Sequence, residues 1–345
     1  MPEAFSRVYF RADGDSQLGL GHLYRCLNLA RHLKGGVSCE FLIERAPESF
    51  RGLLARERIR ERLLAHGEAA HVHGAIARQM VVLDGPDFDR EVMRRWREGG
   101  NLVAVIDDWG RGFFDCDVVV SHGPQNRAES YRGQAGCRYL VGPEYALLHP
   151  AFFQQPARLR DEVRRVLVAF GGGDAGNLTR LALEALDDAG VKIDVVLGTA
   201  YPHVESLAAW RAARHIVFHQ NLDQVELAAL MARADAAVAA GGGMSLELCA
   251  VGVPTLLAAI ADNQVQPCEA FAKRGMAAYC GRSDGMDPSR LRRAALEFFE
   301  AHGLRRRIEK RNRTIFLTSG VERVSHVLCE LMIDRAREVS CPVIR

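Results

Sequence analysis

A histidine at the mouth of a helix, glycine runs after strands and a carboxylate one turn into a helix can together hold a polyanion and move a proton. This chain carries all three. The stretch from Arg11-Ala12-Asp13 to Gly19-Leu20-Gly21-His22 follows a short apolar strand, Val8-Tyr9-Phe10. A helix opens after it, with Leu23, Cys26, Leu27, Ala30 and Leu33 at the 3.6-residue spacing of one buried face. His22 therefore belongs at the carboxyl end of the first strand, where open α/β sheets place ligands. The positive end of the helix dipole disfavours imidazolium, which suits a base. From position alone, His22 is either that base or a packed, capping histidine. Arg25 lies one turn along the same helix face and within reach of a phosphate.

Two glycine clusters occupy equivalent strand-to-helix turns in the second half. Gly171-Gly172-Gly173-Asp174 follows Val166–Phe170, and Gly241-Gly242-Gly243 follows Ala236–Ala240. Glycine lets the backbone approach a phosphate, and a helix start offers unpaired N–H groups and a favourable dipole. Each alone reads equally as a tight turn; the two together favour a cradle for a nucleotide diphosphate. Gly172, Gly173, Asp174, Gly242, Gly243 and Met244 are its expected backbone. Glu247, one turn into the helix that opens at Met244, either accepts hydrogen bonds from both ribose hydroxyls or caps the helix, and the ribose role is favoured. Asp262-Asn263-Gln264 ends the strand Pro254–Ile260, so Asn263 and Gln264 offer amides to sugar hydroxyls or form a polar turn.

Other patterns fail. Gly19-x-Gly21 meets Tyr24 where a dinucleotide fingerprint needs glycine, and neither a Walker loop nor a Gly-x-Ser-x-Gly elbow occurs. His71-x-His73 lacks a third metal ligand nearby and reads as a surface strand. Lys and Arg total 45 against 43 Asp and Glu, which gives no electrostatic footprint for nucleic acid. The run Arg305-Arg306-Arg307 to Arg313 reads as a solvated helix face. Nine scattered cysteines without a CxxC pair suggest reduced thiols and a cytoplasmic setting. The start of the chain reads as lacking a signal peptide, and no apolar run nears the ~20 residues of a bilayer span.

Positioning these groups requires alternating strands and helices, hence parallel sheets built from βαβ units. Strands are expected at Val8–Phe10, Cys39–Ile43, Met80–Leu83, Leu102–Ile106 and Val118–Val120, with helices at Leu23–Leu33, Ser49–Ala65 and Asp89–Glu98. Pro143, Pro150 and Pro156 mark a crossing. Strands follow at Val166–Phe170, Val191–Leu197, Ile216–Phe218, Ala236–Ala240 and Pro254–Ile260. Helices are expected at Leu178–Leu186, His203–Ala213, Leu227–Ala234, Met244–Val251 and Pro267–Gly275, then from Pro288 to about Asp334. The fold class is thus α/β, two doubly wound Rossmann-like lobes facing across a cleft, divided as 1–150 and 151–345.

On these residues the chain resembles the pseudaminic acid pathway UDP-sugar hydrolases, which have the GT-B fold. The resemblance rests on Arg11-Ala12-Asp13 with Gly19-Leu20-Gly21-His22, then Val105-Ile106-Asp107-Asp108 and Gly142-Pro143-Glu144-Tyr145-Ala146-Leu147-Leu148. It continues through Gly171-Gly172-Gly173-Asp174-x-x-Asn177-Leu178 and the cluster leading to Glu247, and ends at Asn263-Gln264. It implies cleavage of UDP-2,4-diacetamido-2,4,6-trideoxy-β-L-altropyranose to free sugar and UDP, without a bound metal or cofactor. It also implies His22 as general base, with the glycine turns and Glu247 on the nucleotide. Arg11, Asp13, Gly19, Gly21, Arg25, Asp84, Asn263 and Gln264 are the expected substrate contacts. The chain departs from the pattern on the sugar side. Asp84-Gly85-Pro86 stands for Asp-His-Tyr, and Ser121-His122-Gly123-Pro124 for an asparagine-containing turn. A glycosyltransferase with the same donor, or a UDP-sugar binder without turnover, are the competing readings.

Overall fold

The computed structural model describes residues 4–340, apart from 16–17, 66–67, 69–71, 111, 134, 172 and 199–200. The chain divides into two units, 1–148 with 318–345, and 149–317. The first unit contains β1 (Arg7–Ala12), α1 (Gly21–Leu33), β2 (Ser38–Ile43), α2 (Glu48–Arg56), β3 (Arg60–Leu63), β4 (Met80–Asp84) and α3 (Arg90–Glu98). It continues with β5 (Leu102–Ile106), β6 (Phe113–Phe114), β7 (Val118–Ser121), β8 (Arg132–Gly133) and β9 (Arg138–Val141). Seven strands form one parallel sheet in the order β3-β2-β1-β4-β5-β7-β9, and β6 pairs with β8 apart from it.

The second unit contains α4 (Ala151–Gln154), β10 (Arg165–Ala169), α5 (Leu178–Leu186), β11 (Lys192–Leu197), β12 (Ile216–Gln220), α6 (Gln224–Met231) and β13 (Ala236–Ala240). Then come α7 (Met244–Val251), β14 (Thr255–Ala259), α8 (Asp262–Lys273), β15 (Ala278–Arg282), α9 (Pro288–Glu300) and α10 (His302–Ile315). Its parallel sheet runs β12-β11-β10-β13-β14-β15. The near-continuous apolar character of β4, β5, β7 and β13 follows from burial on both sheet faces.

The last helix, α11 (Gly320–Ser340), returns to the first unit, so the expected 151–345 division ends at Leu317 instead. Val321, Val324, Leu328 and Met332 enter the same core as Phe10, Leu27 and Phe41. Gly320 is required there, because a Cβ would collide with the backbone of Ala146. Other expectations shift locally. The helix read over Ser49–Ala65 stops at Arg56, and β3 follows because Arg58 turns the chain with φ of 56°. The segment read as a helix over His203–Ala213 is a 3-10 turn, Val204–Trp210. β9 and β15, edge strands with half-buried and polar residues, escaped the apolar-run criterion. Arg305 is no surface cation: it is buried, donating to the carbonyls of Phe299, Arg160 and Asp161.

Because α11 completes the first core, Leu328→Ala should cost about 2–5 kcal/mol. Hydrogen exchange should then accelerate in β1 and α1 while β10 and β13 keep their protection. Equal loosening of both units would contradict this assignment.

Candidate active site

In both sheets the strand order reverses once, between β1 and β4 and between β10 and β13. Crevices outside such a reversal are where doubly wound sheets bind ligands. In the first unit, the turn after β1 brings His22 to the first turn of α1. Gly19, at φ of 77°, makes the turn possible, and its amide donates to Asp15. Gly21 opens the helix with no atom near where a Cβ would stand.

His22 meets Asp84, the last residue of β4, at 2.7 Å from Nδ1 to Oδ1. Asp84 has no exposed surface. Arg25 donates to both its oxygens from Nε and Nη2, and the Cys26 thiol donates to Oδ2 at 3.5 Å. The Nη1 group of Arg25 reaches both oxygens of Asp108, at 2.7 and 2.9 Å, and donates to Nε2 of His122 at 3.2 Å. The carboxyl ends of β4, β5 and β7 thus converge on one guanidinium.

Electrostatics follow from burial. Desolvation alone would raise the carboxyls of Asp84 and Asp108, but the adjoining Arg25 outweighs it and both lie below the ordinary aspartate value. Burial would lower Arg25, yet its two carboxylates carry it well above its usual value. His122 is pulled down by burial, against the attraction of Asp108. A 2.7 Å contact to a carboxylate requires the proton on Nδ1 of His22, which leaves Nε2 as the basic nitrogen.

A cavity of about 430 Å³ adjoins His22 and Arg25, walled by Pro86, Phe88, Met93, Val105, Trp109 and Phe114. Two predicted roles change here. Asp84 is enclosed and orients His22 rather than meeting substrate, and Arg25 is held by two carboxylates rather than open to a phosphate. Arg11 and Asp13 pair at 2.7 Å, and Asp13 Oδ1 accepts the amides of Glu44 and Arg45. They line a neighbouring cavity of about 450 Å³, and Phe88 lines both. Asp108 and His122 were not among the expected site residues; the Asp-Asp sequence after an apolar strand was the available signal for the first.

In the second unit the glycine turns separate by role. Gly171 has φ of 87°, a backbone requirement, and a Cβ on Gly241 would collide with the Cys268 sulfur. Around Gly173 and Gly243 a Cβ would meet nothing, and at Gly242 only the Gln264 amide at 3.8 Å. Neither internal packing nor a positive φ accounts for glycine at these three. Gly172 lies outside the described residues, as does His71. Asp174 is buried, and its two oxygens accept the amides of Leu178 and Thr179. It therefore caps α5 instead of meeting a nucleotide, and α5 opens at Leu178 rather than at Gly173. The start of α7 has no side-chain cap, and Met244 is its first residue. Glu247, half-buried, makes no hydrogen bond or ion pair among the described residues. Burial pushes its carboxyl up to about 7. Asn263 and Gln264 lie in the first turn of α8 rather than in a strand-end loop. Gln264 Oε1 accepts the Ile260 amide, whereas Asn263 is exposed. Among the described residues no group of three or more His, Cys, Asp or Glu could hold a metal. No described helix is long and apolar enough to cross a membrane.

No protein-family model matches the chain. It is 27% identical to the spore coat polysaccharide biosynthesis protein SpsG of Bacillus subtilis, over 93% of this chain and 97% of that protein. It is 22% identical to the UDP-2,4-diacetamido-2,4,6-trideoxy-beta-L-altropyranose hydrolase of Campylobacter jejuni, over 78% and 97%. Among solved structures it resembles CalG4, the calicheamicin glycosyltransferase, with a TM-score of 0.66 at 14% identity, covering 97% and 99% of the two chains. It also resembles LpCGTa in complex with UDP, with a TM-score of 0.67 at 13% identity, covering 96% and 99%. The fold is GT-B, two Rossmann-like α/β units.

Two pH dependences test the electrostatics. Asp84→Asn should cost on the order of 3–5 kcal/mol at pH 7, because Arg25 loses a buried partner. The depressed Asp84 value places its stabilisation above pH ~4, so wild type and variant should converge in urea titrations as pH falls further. Glu247 has the opposite sign. Its raised carboxyl stabilises below pH ~4.5 and loses that contribution as pH rises through about 7. Glu247→Gln should therefore gain stability over wild type at pH 8 and show no gain at pH 4.

Proposed function

We propose that the protein is a nucleotide-sugar hydrolase. It cleaves the anomeric C–O bond of a UDP-linked deoxy-acetamido sugar, inverting that centre and releasing free sugar and UDP, in nonulosonic acid biosynthesis. The observation that carries this reading is the His22–Asp84 contact of 2.7 Å at the reversal of the first sheet. The sequence likeness to the Campylobacter jejuni hydrolase supports the reaction class. The fold likeness to LpCGTa in complex with UDP is consistent with the choice of nucleotide.

The mechanism assigns each part a task. Nδ1–H of His22 donates to Asp84, so Nε2 takes a proton from a water aimed at the anomeric carbon. Two carboxylates around one guanidinium leave a negative charge to balance the imidazolium that forms. In the second unit the amides at Gly173, Gly242, Gly243 and Met244 and the uncapped α7 dipole stabilise the departing diphosphate. Glu247, with no partner among the described residues, accepts from the ribose hydroxyls, and Asn263, exposed at the start of α8, contributes its amide.

The second reading, a glycosyltransferase with a UDP-sugar donor, is favoured by the altered Gly85-Pro86 turn and by the likeness to SpsG and CalG4. It replaces the water with an acceptor hydroxyl and keeps His22 as base. Candidate UDP-sugars supplied without an acceptor should give free sugar and UDP at a rate far above background. Release only when an acceptor is added would select the transferase. His22→Ala should lose roughly 10²–10⁴-fold in turnover. Its affinity for UDP, measured by calorimetry, should stay at the wild-type value.

A further inference from the structure

The first unit holds a pair of thiols that the active site does not use. Cys116 precedes β7 and Cys137 precedes β9, strands that pair in parallel with Val118 opposite Arg138. That register sets Cys137 beside the residue that follows Cys116, and both side chains join one apolar cluster; the Cys116 thiol donates to the Val118 carbonyl at 3.4 Å and the Cys137 thiol to that of Arg138 at 3.8 Å. Cys116 is buried among Phe114 and Tyr131, whereas Cys137 is half-buried and open to a reagent. Cys39 lies near Cys329 and Cys268 near Cys280, but each of those pairs joins a strand to a helix, whereas Cys116 and Cys137 lead into two strands paired with each other. A separation of 21 positions concealed the Cys116–Cys137 pair from any search for CxxC spacing.

The geometry points to Cys116 and Cys137 as a modification site, a dithiol that glutathione disulfide converts to an intrachain disulfide tightening the loop beside His22. The segment between the two cysteines carries that loop. His122 accepts from Arg25, while Gln125 and Asn126 both donate to the carbonyl of Asp108 at 3.1 Å. Tyr131 donates to Asp107 at 2.8 Å. A bond between the cysteines closes the chain across all of these groups and limits how far β7 and β9 part at their amino ends.

The chemistry balances with one oxidant. Cys137 is the accessible thiol, and its contact with Cys116 lowers its proton affinity against the opposing effect of burial. Its thiolate attacks one sulfur of glutathione disulfide and expels a glutathione thiolate, which takes up a proton. Cys116 then gives its proton to water and attacks the Cys137 sulfur, expelling the second glutathione. Two protein thiols are oxidised to one disulfide, and one glutathione disulfide is reduced to two glutathiones.

The test needs no substrate, so its outcome is separate from that of the hydrolase reading. Full-length protein is equilibrated in glutathione buffers of rising oxidised fraction, acid-quenched and mapped by peptide mass spectrometry. We expect a linked peptide joining Cys116 to Cys137, reversed by dithiothreitol. Amide exchange over 121–126 should slow several-fold in the oxidised form. Cys116→Ser should halt at a glutathione adduct on Cys137, and Cys137→Ser should leave Cys116 unmodified. Failure of wild type to link, preferential linkage of Cys39–Cys329 or Cys268–Cys280, or linkage without slower exchange would each overturn the proposal.

Discussion

A carboxylate with no exposed surface must be fully compensated, and the first unit is arranged around that demand at Asp84. The donors it needs all come from the opening turns of α1: the His22 imidazole, the Arg25 guanidinium and the Cys26 thiol. Arg25 is long enough to reach beyond Asp84 to Asp108, so the arrangement propagates across three strand ends. Rotating α1 or sliding it along its axis would strand charge in a closed space. The position of His22 is therefore fixed by electrostatics that do not involve a ligand. That is the preorganisation a general base requires, since its orientation is set before any reactant arrives.

The same topological logic operates twice with different chemistry. Each sheet reverses its strand order once, and the turns beside the reversal carry the distinctive residues. In the first sheet they carry charge, confined and paired, with one carboxylate in excess over the guanidinium. In the second they carry very little side chain. Gly171 and Gly241 answer to backbone conformation and to the Cys268 sulfur, whereas Gly173, Gly242 and Gly243 face open space. Asp174 already satisfies the start of α5, whereas the start of α7 has no side-chain cap. Glu247 projects from that start with no partner among the described residues, at an energetic cost that a ligand's hydroxyl donors would offset.

Periodicity and punctuation made much of this legible in the residues. The 3.6-residue stripe of α1 and the apolar runs of β4, β5, β10 and β13 are local signals that tertiary packing reinforces. β3, β9 and β15 were illegible because edge strands bury little, so their sequences lack an apolar run. The return of α11 to the first unit depends on which core its apolar face meets, and no local pattern encodes that choice. At the site, single residues at turns were visible, but partnerships were not. His22 and Asp84 are 62 positions apart, and Arg25 and His122 are 97 apart. Asp174 shows the converse error: beside glycines its carboxylate suggests a ligand, and only its two backbone donors reveal a cap.

The departure at Gly85-Pro86 gains meaning from what replaces a hydroxyl-bearing side chain there. Phe88 lies over Gly85, where an added Cβ would come within 3.2 Å of its ring. Its ring also takes the Arg11 guanidinium at 5.7 Å from the ring centroid, which keeps it between the two cavities of the first unit. With Pro86, Met93, Val105, Phe114 and the half-exposed Trp109, it forms the apolar wall of the His22 cavity, whose other side carries Asp89, Arg90, Asp107 and Asp108. Polar groups pressed against such a wall lose water without compensation, while methyl groups gain by burial. On the proposed reading, the sugar presents its deoxy carbon or acetyl methyls to this wall and keeps its hydroxyls toward His22. Substrate selection would then rest on what the first unit excludes, a property set by Phe88 and Pro86 and independent of the glycine turns proposed to hold the nucleotide.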